Sequence, residues 1–151
     1  MIRIVAVGKK HEAWINEGLK RYEKRLTKPW SVEWVLLPHS SFSSDRAREE
    51  ESERILSSIK PADYVILLDE VGKSLDSPAV SRLIGRAQVH SKPIVLVIGG
   101  AYGVSGAMRE RADFIWSLSD LVFPHQLVRL MLIEQLYRSQ EIAKSGSYHH
   151  L

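Results

Sequence analysis

The sequence predicts an α/β protein with a mainly parallel sheet flanked by helices. Short apolar runs alternate with amphipathic segments along the chain, which is the pattern of βαβ units. The third apolar run, residues 64–68, has no polar position, as a central parallel strand with both faces buried requires. With 151 residues, 44% of them hydrophobic, the chain is long enough for one domain, residues 1–151.

The amino-terminal part contains two strand–helix units. Residues 2–7 form an apolar strand, and residues 11–26 form a helix because four apolar side chains recur at helical spacing, Ile15, Leu19, Tyr22 and Leu26. Residues 32–37 predict the second strand. A charged helix follows over about 45–59 and ends before Pro61, because proline cannot continue it.

The carboxyl-terminal part continues the alternation after the third strand, residues 64–68. Residues 69–73 are expected to form its exit loop. The next helix begins with Ser77 as N-cap and Pro78 at the first helical position. Four further elements complete the domain: a strand at 94–98, a short helix capped by Ser105, a strand at 114–118 and a helix over about 124–144.

Charge is unevenly distributed around a net value of +3. Residues 1–29 have a surplus of five positive charges, including Lys20, Arg21, Lys24 and Arg25, whereas residues 45–70 have eight acids against four bases. A basic amino-terminal face is compatible with a phosphate-bearing partner. A solvated amphipathic helix explains the same pattern.

The composition argues against cysteine chemistry and against a metal site. The chain has no cysteine, which excludes disulfides, thiolate catalysis and cysteine-bound zinc. Adjacent histidines such as His149 and His150 seldom reach one ion together, so no metal is expected. The sequence has neither a membrane-spanning apolar run nor a signal-peptide pattern, and a cytoplasmic protein without a membrane partner is expected.

Three loops that follow predicted strands carry the unusual residues. In parallel α/β sheets ligands bind beyond the carboxyl ends of the strands, so the loops after Leu68, Ile98 and Leu118 should converge on one crevice. The second loop contains Gly99, Gly100 and Gly103. Such a loop fits a dinucleotide site, a phosphate cradle or a tight turn. Its pattern differs from GxGxxG and lies far from the first βα turn, which disfavours an ordinary NAD fold.

The last helix has two pairs of residues spaced by four. His125 and Arg129 share a face near the helix N-terminus, where backbone N–H groups favour anions. Alternatively, His125 is a partly exposed cap residue and Arg129 pairs with a surface acid. Glu134 and Arg138 are expected to form an intrahelical ion pair.

Eight segments, taken in order, resemble one known family. They are residues 5–9, 22–26, 68–73, 97–103, 117–119, 123–129, 134–138 and 148–150. Together they are similar to the ribosomal large-subunit pseudouridine N3-methyltransferases, the smallest members of the SPOUT class of S-adenosylmethionine enzymes. The likeness covers nearly the whole chain. Two departures are Ala101-Tyr102, where small residues or proline are more usual, and Leu151, where a charged residue is common.

The resemblance implies a fold feature, a cofactor and partners. It implies a deep trefoil knot over about residues 64–151, S-adenosylmethionine bound in the knot, an obligate homodimer whose site uses both chains, and ribosomal RNA as partner. The cofactor residues implied are Leu68, Gly99, Gly100, Gly103, Ser119, Asp120, Leu121, Val122, Phe123 and Pro124.

Catalytic roles are expected for Tyr148, His149, His125, Arg129 and Arg138. The N3 imide of pseudouridine attacks well only after it loses its proton, which requires a base or a cation that stabilises the imidate. His149 or His125 is the expected base, and Arg129 or Arg138 the expected cation. Two alternatives remain open: a non-catalytic RNA-binding ribosome-assembly factor, and a SPOUT methyltransferase with another RNA target.

Overall fold

A computed structural model describes residues 1–146, 148 and 149 of the chain. The five strands are β1 (Ile2–Val7), β2 (Val32–Leu37), β3 (Tyr64–Ser74), β4 (Ile94–Ile98) and β5 (Phe114–Ser117). The five helices are α1 (Ala13–Glu23), α2 (Ser44–Ser57), α3 (Ser77–Val89), α4 (Gly106–Arg111) and α5 (His125–Ala143). Strands and helices alternate along the chain, as the sequence pattern predicts.

The strands form one five-stranded sheet in the order β2-β1-β4-β3-β5, and every neighbouring pair is parallel. The predicted fold class is therefore confirmed. The order places β4, β3 and β5 side by side, so their carboxyl ends lie along one stretch of the sheet edge. The trefoil knot over about residues 64–151 stays a prediction of the family resemblance.

Helices cover both faces of the sheet. Side chains such as Ile4, Ile66 and Leu96 pack on one face, together with apolar residues of α1, α3 and α5. Val65 and Val97 point to the other face, where α2 and α4 contribute apolar residues. The side chains of a central strand are thus buried alternately on opposite faces, which explains why residues 64–68 are apolar throughout.

Strand β3 is longer than predicted. The segment 69–73, expected to be a loop, belongs to a strand that ends at Ser74. The ladder with β5 nevertheless breaks after Leu68 and resumes at Lys73, so the intervening residues form a bulge. Gly72 permits this path because a Cβ there would lie only 2.5 Å from the backbone oxygen of Ile115. The chain stays extended where the sequence indicates a turn.

Several element boundaries differ from the predictions by a few residues. Helix α1 is shorter than 11–26, and β5 ends one residue before Leu118. The N-cap of α3 is Asp76, not Ser77, because the Asp76 carboxylate accepts the N–H of Ala79 at 2.8 Å. Ser105 caps α4 as predicted and accepts the N–H of Met108 at 3.2 Å.

The described residues contain neither a membrane-spanning helix nor a cluster of metal ligands. None of the described helices combines the length and apolar character that crossing a membrane requires. Within residues 1–146, 148 and 149, no three histidine, aspartate or glutamate side chains are grouped so that they could hold a metal ion.

Candidate functional site

A cleft of about 610 Å³ lies beyond the carboxyl ends of β3, β4 and β5. Its wall includes Leu68, where the first paired stretch of β3 ends, the loop after β4, and most of the residues from Leu118 to Phe123 after β5. The three loops singled out in the sequence therefore meet in one place. The volume is in the range of small-molecule sites.

Most residues expected to bind the cofactor line this cleft. The lining includes Leu68, Gly99, Gly100, Gly103, Ser119, Leu121, Val122 and Phe123. Asp120 and Pro124 are not among the lining residues, and Pro124 instead provides the N-cap position of α5. Leu121 and Val122 are 70% and 82% exposed, so the rim of the cleft is apolar and open to solvent.

The glycine loop, defined here as residues 99–105, is held from behind by one face of α2. Arg48 donates from Nε to the carbonyl oxygen of Tyr102 at 2.9 Å. The backbone N–H of Ser105 donates to Oγ of Ser52 at 2.9 Å. Between these contacts Glu51 lies against Gly100, where an added Cβ would collide with its Oε1. A side chain at position 100 would therefore displace the Glu51 carboxylate or the loop.

Charged side chains also line the cleft. Arg109 of α4 forms an ion pair with Asp69, with Nη2 and Oδ2 3.1 Å apart, and Arg48 and Glu70 lie in the same wall. Sequence reasoning missed the contribution of α2 and α4 to the site. Their residues belong to charged helical segments that look like solvated surface.

His125, the first residue of α5, lines the same cleft. Burial lowers its pKa below the ordinary value of 6.5, and the positive charge of Arg129 lowers the pKa further, whereas a hydrogen bond with the Gly99 backbone acts in the opposite direction. The imidazole is consequently neutral at pH 7. It then has one ring nitrogen available to accept a proton.

Arg129 is buried, with an exposed fraction of 1%. Its Nη2 donates to the carbonyl oxygens of Val7 and Gly8, each at 3.0 Å, and its Nη1 donates to the carbonyl of Lys10 at 3.0 Å. A fourth contact joins Nη1 to Nδ1 of His11 at 3.1 Å. This placement corrects one expectation for Arg129: among the described residues its partners are backbone carbonyls and His11, and it does not pair with a surface acid. It fastens the loop after β1 to α5.

Near the end of α5, Arg138 and Glu134 form the predicted intrahelical pair, with both Nε and Nη2 donating to the carboxylate at 3.1 and 3.0 Å. Tyr148 donates its hydroxyl to Glu134 Oε2 at 3.2 Å. Nη1 of Arg138 lies 3.0 Å from Nδ1 of His149. We call Glu134, Arg138, Tyr148 and His149 the tail cluster.

The tail cluster adjoins a second cleft of about 570 Å³. Glu134 and His149 line it together with residues at the start of α3, and Leu118 lines both clefts. Burial, followed by the negative charge of Glu134, raises the pKa of Tyr148 to about 12. The family motif also includes His150, which lies outside the described residues, as does the Leu151 departure.

The parallel sheet, the strand-end cleft and its glycine loop indicate the class of protein to which the chain belongs. A family model described as "Predicted SPOUT methyltransferase" matches residues 1–149, and the chain belongs to this family. The resemblance inferred from the sequence is thereby confirmed.

Several relatives that match nearly the whole chain have the same name. A protein of Desulfitobacterium hafniense named ribosomal RNA large subunit methyltransferase H is 42% identical over 98% of this chain and 98% of its own length. Proteins of the same name from a Synechococcus species and from Pelobacter propionicus are 43% and 39% identical, over 98% and 99% of this chain and 93% and 99% of their own lengths.

A solved structure supports the fold alone. It is described as a "probable methylase family protein" from Haemophilus influenzae, and it matches with a TM-score of 0.54 at 12% identity, covering 99% of this chain and 70% of that one. At this identity the match supports the arrangement of strands and helices.

Proposed function

We propose that this protein transfers a methyl group from S-adenosylmethionine to N3 of a pseudouridine in large-subunit ribosomal RNA, in the cytoplasm. The observation that carries the proposal is the cleft in which three strand-end loops meet around the glycine loop. Relatives that match nearly the whole chain are named for methylation of this RNA. The pseudouridine N3 target follows from the family resemblance.

The residues present fit a sulfonium nucleoside. Gly100 lets the backbone form part of the cleft wall, and Leu68 and Phe123 offer apolar surface to an adenine ring. The ion pair of Arg109 and Asp69 adds polar groups for hydroxyl or carboxylate functions of the ligand. S-adenosylmethionine, when bound, supplies a methyl group on a positively charged sulfur.

We assign His125 as the group that holds the N3 proton. Its neutral imidazole lies in the cleft wall, which is the protonation state that a base needs at pH 7. Arg129 does not touch this cleft, and we assign it a positioning role. By fixing the loop after β1 to α5, it sets where the first turn of α5 begins and hence where His125 lies.

The tail cluster has the chemistry of a hydrogen-bond donor site. A guanidinium has no acceptor, so Nδ1 of His149 accepts from Arg138 and the ring hydrogen is then on Nε2. Tyr148, with its raised pKa, keeps its proton. We therefore propose that Arg138 and His149 stabilise the negatively charged imidate or a neighbouring phosphate. In this assignment His149 is a donor, and His125 is the base.

A homodimer would bring the two sets of residues together. His125 and Arg138 are thirteen positions apart on α5, which separates them by roughly 20 Å along the helix. A second copy placed across the apolar rim would cover Leu121 and Val122 and bring its own tail cluster to this cleft. Light scattering on the purified protein tests this, and a monomer at micromolar concentration would contradict it.

RNA binding is assigned to the basic face of α1. Lys20, Arg21, Lys24 and Arg25 lie in or just after this helix and are all exposed, so they can contact phosphates. In this proposal the exposed positive charges of the face add affinity for the RNA.

Two experiments test the proposal as a whole. Calorimetry should show binding of S-adenosylmethionine by the purified protein. Ribosomes from a deletion strain should lack one methyl group on a large-subunit pseudouridine, and the purified protein should restore it. RNA binding without uptake of the nucleoside would instead support an assembly factor. Methylation at a different nucleotide would support another RNA target.

A further inference from the structure

Glu51 is a buried carboxylate with one unused oxygen. Its exposed fraction is 4%, and its Oε2 accepts the backbone N–H of Ser40 at 2.9 Å. The ring of His39 lies farther away, with Nδ1 3.9 Å from Oε2. Oε1 is buried and has no hydrogen-bond partner among the described residues. Burying a carboxylate oxygen without a hydrogen-bond partner costs free energy. The contact with Ser40 gives Oε2 a structural role, but it does not explain why Oε1 is buried.

The unused oxygen lies close to the wall of the cofactor cleft. Oε1 lies against Gly100, and Gly100 is part of the cleft wall. A residue with a side chain would fill the space between the carboxylate and the wall. At Gly100, the wall between Glu51 and the cleft therefore has no side chain.

The arginines near this carboxylate donate to other acceptors, and His39 and His125 are the titratable groups that face it. Arg129 is the buried cation of the region, and its guanidinium donates to carbonyls of Val7, Gly8 and Lys10. Arg48, one turn before Glu51 on α2, is occupied by the Tyr102 carbonyl and by Asp45. Each cation therefore has acceptors other than Glu51.

We infer that Glu51 is a specificity-determining residue that favours a positively charged nucleoside over a neutral one of the same shape. The inference rests on the proposed function. S-adenosylmethionine has a positive sulfur, and S-adenosylhomocysteine, its product, has a neutral one. A carboxylate behind a thin backbone wall attracts the first and not the second, more strongly than it would in bulk water. S-adenosylhomocysteine is then bound less tightly than S-adenosylmethionine, which favours replacement of the product by a new methyl donor.

Binding constants for three ligands test the inference. Calorimetry compares S-adenosylmethionine, S-adenosylhomocysteine and sinefungin, whose protonated amine replaces the sulfonium methyl group. In Glu51→Gln, which keeps the shape and an acceptor for Ser40, the two cationic ligands should bind about fivefold more weakly, while the neutral ligand should change less than twofold. Glu53→Gln removes an exposed acid from the same helix and should alter none of the three constants.

Several outcomes would overturn the inference. An equal loss for all three ligands in Glu51→Gln would reduce Glu51 to mechanical support of the glycine loop, and unchanged binding would remove it altogether. Wild-type protein, which needs no substitution to fold, should bind sinefungin more tightly than S-adenosylhomocysteine, and the reverse order contradicts the inference even if the variant is unstable. Failure of wild-type protein to bind any of the nucleosides would instead contradict the proposed function itself.

Discussion

The cofactor cleft and the tail cluster are built in different ways. The cleft is formed by backbone at the ends of three adjacent strands, and α2 supports its glycine loop through Arg48, Glu51 and Ser52. The tail cluster consists of side chains on the end of α5 and just beyond it. The first site depends on close packing and the second on charge and hydrogen-bond direction. Substitutions should therefore impair them differently.

The largest effect is expected for Gly100→Ala. The added methyl group would collide with the buried carboxylate of Glu51, so either this side chain must leave its hydrogen bond with Ser40 or the glycine loop must move. We expect S-adenosylmethionine affinity to fall by about 100-fold or more, because the loop forms the cleft wall. Gly85→Ala is the matched control, since a Cβ there meets no atom within 4 Å. Calorimetry that finds equal affinity in both variants would refute a packing-determined cleft.

Arg138→Lys tests the role of the tail cluster. Lysine keeps the charge but loses the two-pronged contact with Glu134 and the contact with His149. The single-turnover methylation rate should drop by about 10²-fold, while nucleoside affinity should change less than twofold. Arg82→Lys, on α3, serves as the control. A parallel loss of nucleoside affinity would show that the two sites are not separable in this way.

Neutralising the basic face of α1 should have a smaller effect, and this effect should be on RNA binding. With Lys20, Arg21, Lys24 and Arg25 changed to Gln, RNA affinity should fall by about tenfold at low salt, and its dependence on salt concentration should flatten. The same measurement on a variant with Arg82 and Arg86 changed to Gln, both on α3, shows the effect of removing two positive charges from a different exposed surface. An unaltered salt slope in the α1 variant would exclude this face from RNA binding.

The smallest effect is expected on the pH dependence of folding stability. Burial holds the pKa of His125 below 6.5 in the folded state, so the unfolded chain binds the proton more readily. The stability due to the neutral ring is complete above pH 6.5 and is lost as the pH falls below that value. His125→Gln should reduce the loss of Tm between pH 7.5 and 5.5 by a few degrees.

Exposed His90, at the end of α3, provides the control for the pH experiment. His90→Gln should leave the pH dependence of Tm unchanged. If both substitutions alter it equally, burial of His125 is not the cause.

The strand-end cleft could be predicted because its cause is local in the sequence. Residues 94–98 are apolar and lead directly into glycines, and strand ends in a parallel sheet share one edge. Arg129 shows the limit of such reasoning. Spacing places it on the same helix as His125, but the carbonyls that its guanidinium reaches belong to β1 and the loop after it, more than 100 residues earlier.

Glu51 and the bulge in β3 show a second limit. Glu51 lies in the acidic segment 49–53, where no local pattern distinguishes the one carboxylate that is buried from the exposed ones. Residues 69–73 carry the polar and glycine composition of a turn, yet they stay in a strand because Lys73 and Ser74 regain partners on β5. Both features depend on contacts that are distant in sequence.

Leu118 belongs to the wall of both clefts. One side chain thus stands between the place assigned to the methyl donor and the cavity beside Glu134 and His149. A change in its size would be felt on both sides at once, so neither cavity can be reshaped at this point without altering the other. Adaptation to a different nucleotide would have to proceed elsewhere, through positions such as Met131 or Gln135 that border the second cavity alone.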